Sequence, residues 1–339
     1  AMRQPGSAFK PFVYLSALDN GYTPSTIVLD APFVMDQGPG LPKWKPKNYS
    51  GKYYGESTLR TGIEKSQNLM TVRLAQAVGM EKIGEYASSF GIVDELPNNL
   101  SAAIGSQETT LLRLTAAYAM LVNGGKRIDP SLIDRVQDRT GRTVVRADDR
   151  ECPSCDLDSW TGIAPPKLPD TREQLTETAS AYQMVSILQG AVERGTGRRV
   201  AAVGKPLAGK TGTSNDSFDT WFMGFSPDLV VGVFVGFDEP RTLGTNETGS
   251  TVAAPIFKDF MQEALEGEPA TPFRIPQGIV MVRVDPDTGL VAAPGSRKAI
   301  LEAFKLGTAP TRRTAVVGGG DSAPFGISEG DQPSAGGLY

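Results

Sequence analysis

The chain has 339 residues, 40% hydrophobic and 21% charged, the composition of an ordinary globular protein with enough length for a substantial core. A formal net charge of −4 leaves no broad basic surface for nucleic acid, and no run reaches the roughly 18 apolar residues of a membrane span. With no histidine, Ser-His-Asp and Cys-His catalysis and histidine-based metal sites are excluded, so a proton shuttle must come from Lys, Tyr, Asp, Glu or water.

Residues 7–21 carry apolar side chains at Phe9, Phe12, Val13, Leu15 and Leu18, which predicts a buried helix ended by Asn20-Gly21. Residues 22–55, rich in Pro, Gly, Lys and Tyr, show no sustained period and read as an irregular surface segment. Residues 57–91 read as successive helices broken or capped at Gly79 and Gly91, and 109–125 as a helix capped by Thr109 or Thr110. Two alternating runs around Thr140-Gly141 predict a hairpin over 131–148.

The polar loop that follows holds Cys152 and Cys155, the chain's two cysteines. One C-x-x-C cannot build a four-thiolate zinc site, which leaves a local disulfide or a pair of exposed thiols. Residues 178–197 read as an apolar helix packed on a sheet, and 207–239 as a three-stranded antiparallel meander. A helix over 254–267 with Pro255 in its first turn and an appended hairpin over 279–292 complete the elements.

"GKPLAGKT", Gly204 to Thr211, fits the phosphate-binding pattern G-x-x-x-x-G-K-[ST]. A phosphate loop needs a helix starting at that lysine, yet the chain continues Gly-Thr-Ser-Asn-Asp-Ser, which breaks helices. The next apolar run also comes too soon for a parallel crossover. Lys210-Thr211-Gly212-Thr213 therefore reads as one strand of an antiparallel sheet.

Three motifs carry chemistry. Ser7-Ala8-Phe9-Lys10 puts a hydroxyl and an amine at i and i+3, neighbours on a helical face at roughly 5–6 Å between Cβ atoms. Without histidine, a lysine whose pKa is lowered by burial and a nearby cation is the natural base for a serine nucleophile. Ser66-Gln67-Asn68 adds a hydroxyl and an amide where helical segments meet. Lys210-Thr211-Gly212-Thr213 adds a cation, two hydroxyls and a glycine whose missing side chain would let a substrate backbone lie along the strand edge. Each motif alone is also what a cap, a polar turn or an exposed strand edge looks like.

In this order, S-x-x-K, S-x-N and K-T-G-T resemble the signature of the penicillin-recognising acyl-serine transferases, which serine β-lactamases share. The flanks "RQPGSAFKPF", "STLRTGIEKSQN", "IGSQETTLLRLTAAYAMLVNGG", "VERGTG" and "LAGKTGTSNDSFDTWFMGFSP" are similar to the transpeptidase domain of class A penicillin-binding proteins, of the 1A type, over residues 1–265. The resemblance implies an α/β (α+β) fold of penicillin-binding protein and serine β-lactamase type, an antiparallel sheet flanked by helices with N-terminal strands missing. It also implies a D,D-transpeptidase acting on peptidoglycan stem peptides and acylated by β-lactams, with no cofactor and no metal.

By the same resemblance Ser7 is the nucleophile, Lys10 its base, Ser66 a proton relay and Lys210 the charge that keeps the site positive. Asn68 would bind the substrate amide, and Thr211 and Thr213 its carboxylate, beside Gly212. The family's upstream glycosyltransferase domain and membrane anchor place the parent protein at the periplasmic face of a bacterial inner membrane, and the chain, beginning without Met, reads as part of it. The domain is expected over 1–267 with an irregular insert near 126–177, an extension over 268–307 and a disordered tail over 308–339. Rival functions are a D,D-carboxypeptidase, a β-lactamase using Glu95 and Asn99, and a β-lactam sensor that acylates without turnover.

Overall fold

The computed structural model describes residues 1–148 and 168–310, together with 150, 152, 155, 159, 162, 164 and 316–319. A 3-10 turn, Gly6–Ala8, leads into α1 (Lys10–Asp19), in which every residue from Lys10 to Leu18 is buried. A helix with no polar stripe has to be surrounded, and α1 is the central post of the core. Phe12 packs edge-on to Tyr118 (5.6 Å between ring centroids) and against Phe90 (5.3 Å).

After α1 come β1 (Ile27–Asp30) and β2 (Gly55–Thr58), paired antiparallel from Ile27↔Thr58 to Asp30↔Gly55. Three helices follow, α2 (Leu59–Glu64), α3 (Asn68–Val78) and α4 (Met80–Ser89). The break between the last two falls at Gly79, whose φ of 96° a side chain would resist. Helix α5 (Leu111–Val122) starts where Thr110 Oγ1 accepts from Arg113 N, satisfying one orphan amide of its first turn. The exposed hairpin β3 (Arg135–Gln137) and β4 (Thr143–Arg146) leads to the loop in which Cys152 and Cys155 are joined as a disulfide, Cα atoms 5.3 Å apart.

Helix α6 (Thr178–Glu193) then crosses beneath the meander β5 (Ala208–Thr213), β6 (Asp219–Phe225) and β7 (Val230–Gly236). Alternation along β6 separates two cores. Trp221, Met223 and Phe225 face the main core of α1, α5 and α6. Phe222 faces a smaller one with α7 (Ala254–Ala264), its ring 4.7 Å from that of Phe257.

Two stretches differ from expectation. The segment 22–55 is not wholly irregular, because its "IVLD" is buried strand β1; four residues between Pro24 and Pro32 are too few to display a period. The hairpin expected over 279–292 begins as such, with Asp285 N donating to Leu290 O (2.9 Å). Its first strand, β8 (Ile279–Val284), nevertheless pairs along its length with β9 (Ile300–Lys305), from Ile279↔Lys305 to Val284↔Ile300. This hairpin is seated on the core, with Ala303 and Phe304 fully buried and Gln183 Nε2 donating to Ala303 O (2.9 Å).

Of the tail expected to be disordered from 308, most lies outside the described residues. At 316–319 the chain is seated, since Val317 is buried and bridges β1, accepting from Leu29 N and donating to Ile27 O (both 3.0 Å).

Val28 is 0% exposed. Val28→Ala is expected to lower the unfolding free energy by about 2 kcal/mol, two methyl groups plus a cavity, in a urea titration. A change within about 0.5 kcal/mol would instead fit the surface segment that the sequence suggests.

Candidate active site

Ser7 stands in the 3-10 turn and Lys10 opens α1, so the first motif spans the join between them. Contact between backbones sets the turn. Gly6 N donates to Gly105 O (3.1 Å), and both glycines are left-handed, with φ of 52° and 86°. A Cβ on Gly6 would lie 2.3 Å from Thr213 O, and one on Gly105 2.0 Å from Gly6 O, so the turn is pressed against β5 with no space for a side chain. Trp221 Nε1 donates to Gln4 O (2.9 Å) and Arg3 Nη2 to Asp238 O (2.6 Å), tying the preceding residues to the sheet.

The second motif lies at the junction of α2 and α3. Ser66 has φ 57°, a conformation that costs a residue with a Cβ roughly 1–3 kcal/mol and persists only where its surroundings impose it. Here both buried lysines impose it. Lys10 Nζ donates to Ser66 O (2.8 Å), Asn68 Oδ1 (2.6 Å) and, at longer range, Ser66 Oγ (3.4 Å). Lys210 Nζ donates to Ser66 Oγ (2.7 Å) and Thr211 O (3.0 Å). Both lysines are 0% exposed.

Burial, and next the neighbouring Lys210, push Lys10 well below its ordinary 10.5, against an opposing pull from Asp30. Burial lowers Lys210 to about 7. A neutral amine beside a cation can accept a proton from a nearby hydroxyl, which neither group could do at its ordinary pKa in neutral water.

The third motif is β5. Ser214 N donates to Asp219 O, and Thr213 faces Thr220 at the next ladder position. The alternation of an antiparallel pair therefore turns the Thr213 N–H away from β6, toward the open edge of the strand. Thr213 Oγ1 accepts from Gly249 N (3.0 Å), and Thr211 Oγ1 shares a hydrogen bond with Thr196 Oγ1 (2.9 Å). A groove of about 1010 Å³ runs over the three motifs, lined by Ser7, Ser66, Asn68, Thr211 and Thr213.

Gly212 is a correction. A Cβ there would meet Pro5 O at 2.4 Å and Ala8 Cβ at 3.0 Å, so its clearance is filled by the turn that carries Ser7 rather than kept open for a substrate backbone. The phosphate-loop resemblance ends in the same place, since Lys210 is a buried strand residue and no helix starts at it. Glu95, the rival hydrolytic base, is exposed and lies outside the residues lining the groove, and Asn99 Oδ1 accepts from Ala102 N (3.0 Å).

Sequence reasoning missed Asn48. Its Oδ1 accepts from Asn68 N (2.8 Å) and Leu69 N (3.2 Å), capping α3 from a distant loop, and its Nδ2 donates to both carboxylate oxygens of Asp30 (2.8 and 2.9 Å). This buried pair fixes the helix start that presents Asn68 to Lys10. Thr196 and Ser250 also line the groove unannounced; the flank "VERGTG", whose one hydroxyl is Thr196, was the available signal for Thr196. Among the described residues no group of three or more Cys, Asp or Glu side chains could hold a metal ion, and no helix is long and apolar enough to cross a membrane.

Known proteins share this fold and much of this sequence. Residues 1–262 match the family described as penicillin binding protein transpeptidase domain. Penicillin-binding protein 1A of Rickettsia conorii is 49% identical over 308 residues, 90% of this chain and 39% of that protein. The crystal structure of penicillin-binding protein 1A from Haemophilus influenzae superposes with a TM-score of 0.80 at 33% identity, over 93% of this chain and 49% of the other. The PonA1 protein of Mycobacterium tuberculosis in complex with penicillin V shares the fold, with a TM-score of 0.66 at 24% identity, over 81% of this chain and 72% of that one. The chain thus spans well under half the length of its Rickettsia relative.

The depressed lysines have a consequence for stability. Between about 7, where folded Lys210 titrates, and 10.5, where an ordinary lysine does, the unfolded chain binds the extra proton, so stability rises with pH across that window. Lys10 adds in the same direction. Urea titrations at about pH 6 and about pH 9 are expected to differ by on the order of 2 kcal/mol from Lys210 alone, in favour of the higher pH, a difference that Lys210→Met removes. An identical slope in Lys210→Met would mean that Lys210 titrates as an ordinary lysine.

Proposed function

The chain belongs to the penicillin-binding protein transpeptidase family, and on that premise we propose that it is a D,D-transpeptidase that cross-links peptidoglycan stem peptides through an acyl-serine intermediate. The observation that carries the reading is the convergence of Lys10 and Lys210 on Ser66 in the groove that Ser7 shares with Thr211 and Thr213.

In this mechanism Ser7 Oγ attacks the carbonyl of the penultimate D-Ala of a stem pentapeptide, and the Lys10 amine, its proton affinity lowered by burial and by Lys210, takes its proton. The Ser7 and Thr213 N–H groups hold the oxyanion, a contribution of about 2.7–4 kcal/mol for a well-placed donor. Lys210 and Ser66 pass a proton to the departing amine of the terminal D-Ala, whose carboxylate rests on the Thr211 and Thr213 hydroxyls. Asn68 Nδ2, one of whose hydrogens is held by Lys47 O (2.8 Å), has its second free for a substrate carbonyl. The amine of a neighbouring stem then attacks the acyl-serine, releasing Ser7. A β-lactam, entering as an analogue of D-Ala-D-Ala, acylates the same serine and leaves no small group to make room for the acceptor.

Residues 1–267 act as the transpeptidase unit in this reading. The parent protein works at the periplasmic face of the bacterial inner membrane, an oxidising setting that suits the Cys152–Cys155 disulfide.

The test is incubation with a pentapeptide donor and an amine acceptor, with products followed by mass. The expected result is release of one D-Ala per cross-linked product, abolished in Ser7→Ala. Tetrapeptide as the sole product, with acceptor present in excess, would instead make the chain a D,D-carboxypeptidase.

A further inference from the structure

The C-terminal hairpin delivers a charge to the interior. Glu302 on β9 is 1% exposed, and its carboxylate meets the guanidinium of Arg60 on α2, itself 2% exposed, in a two-pronged pair. The other N–H groups of Arg60 go to Glu64 Oε1 (3.2 Å), Ser186 O (3.0 Å) and Ser186 Oγ (2.9 Å), so all five are satisfied. Glu64 Oε1 also accepts from Arg194 Nη2 (2.7 Å). Arg194 Nη1 also donates to the exposed Glu193 (Oε2, 2.6 Å), so within the buried part of the cluster Glu302 and Glu64 are the two carboxylates that face the two guanidinium groups.

Glu64 is two residues before Ser66, and its backbone continues the connection into the groove. Glu64 O accepts from Thr196 N (3.0 Å), and Lys65 Nζ donates to Arg194 O (2.8 Å). Thr196 in turn holds Thr211 through their hydroxyls (2.9 Å), and Ser250 Oγ donates to Thr196 O (2.9 Å). The contact has no slack. A Cβ on Gly195 would lie 2.2 Å from Glu64 O, and one on Gly190 1.9 Å from Glu64 Oε1.

We infer that Glu302 is a positioning residue for acyl transfer. Through Arg60 and Glu64 it holds the Ser66 turn and sets Thr196 against Thr211, although it lies forty residues past the end of the family match at 262. The physical reason is charge balance. Without Glu302 the one buried carboxylate left, Glu64, is shared between Arg60 and Arg194, and the buried Arg60 has the stronger claim because water cannot replace its lost partner, whereas Arg194 keeps the exposed Glu193. Arg194 then loses its buried partner and is held by Glu193 alone, the 194–196 turn loosens, and Ser66 loses part of what holds its left-handed conformation. The inference rests on reading this groove as an acyl-serine site.

The test uses acylation of the full chain by a fluorescent penicillin, analysed for the encounter constant, the acylation rate and the titrated active fraction. Glu302→Gln is expected to slow acylation roughly ten- to a hundred-fold, as small misplacements of catalytic groups do, with the encounter constant nearly unchanged and every folded molecule still titrating. Glu302→Asp restores part of the rate. Gln183→Ala, which removes only a hydrogen bond between α6 and β9, lowers thermal stability and leaves the rate alone. A Glu302→Gln chain that is less stable but acylates at the parent rate overturns the inference. Should that variant not fold, Ser186→Ala, which removes one partner of Arg60 without changing charge, is judged by the same rate. An unsubstituted chain that is never acylated overturns the acyl-serine reading and this inference with it, whereas an acylated parent beside an unaffected variant overturns the inference alone.

Discussion

Two lysine amines with no exposed surface meet at one serine, and the rest of the structure is arranged around keeping them there. Placing Lys10 and Lys210 together in the interior is unfavourable twice over, through lost hydration and mutual repulsion. The fold answers with acceptors from three separate elements, Ser66 O, Asn68 Oδ1 and Thr211 O, and with the buried carboxylate of Asp30 nearby. What these do not compensate emerges as depressed proton affinity, which in a chain without histidine is the property a base for serine requires.

The first two motifs are each fixed by something other than themselves. The Ser7 turn is wedged between Gly105 and Thr213, the start of α3 is capped by Asn48, and the end of α2 is gripped through Arg60. The strain at Ser66 is tolerable only because these supports agree on its position. The groove is therefore built on rigid backbone, with adaptable hydroxyls at its rim, an arrangement suited to a reaction that must hold one peptide while admitting a second.

The three motifs that meet at the groove were legible in the sequence because their signals are local. S-x-x-K, S-x-N and K-T-G-T are short spacings, and the helices around them announce themselves through apolar period and caps at Thr110, Gly79 and Asn123. The turn residues after Lys210 sufficed to set aside a phosphate-binding reading. The supports were hidden because they act across the chain. Asn48 lies 20 residues from the amide it caps, and Arg60 lies 242 from Glu302. Strand β1 was too short to show a period, and the space at Gly212 was assigned to a substrate when a neighbouring turn fills it. Nothing in the composition of a Pro- and Tyr-rich loop marks one of its asparagines as the cap of a distant helix.

Lys10, its proton affinity lowered by burial and by Lys210, is the proposed base for Ser7. The direct measurement is the pH dependence of the acylation rate with benzylpenicillin, with the adduct mapped to Ser7 by mass. Because burial and Lys210 lower the proton affinity of Lys10, the rate should climb through an acidic limb and level off well below 10.5. A rate that instead keeps rising with hydroxide toward 10.5 would show Lys10 to be charged at neutral pH and would contradict its role as the base.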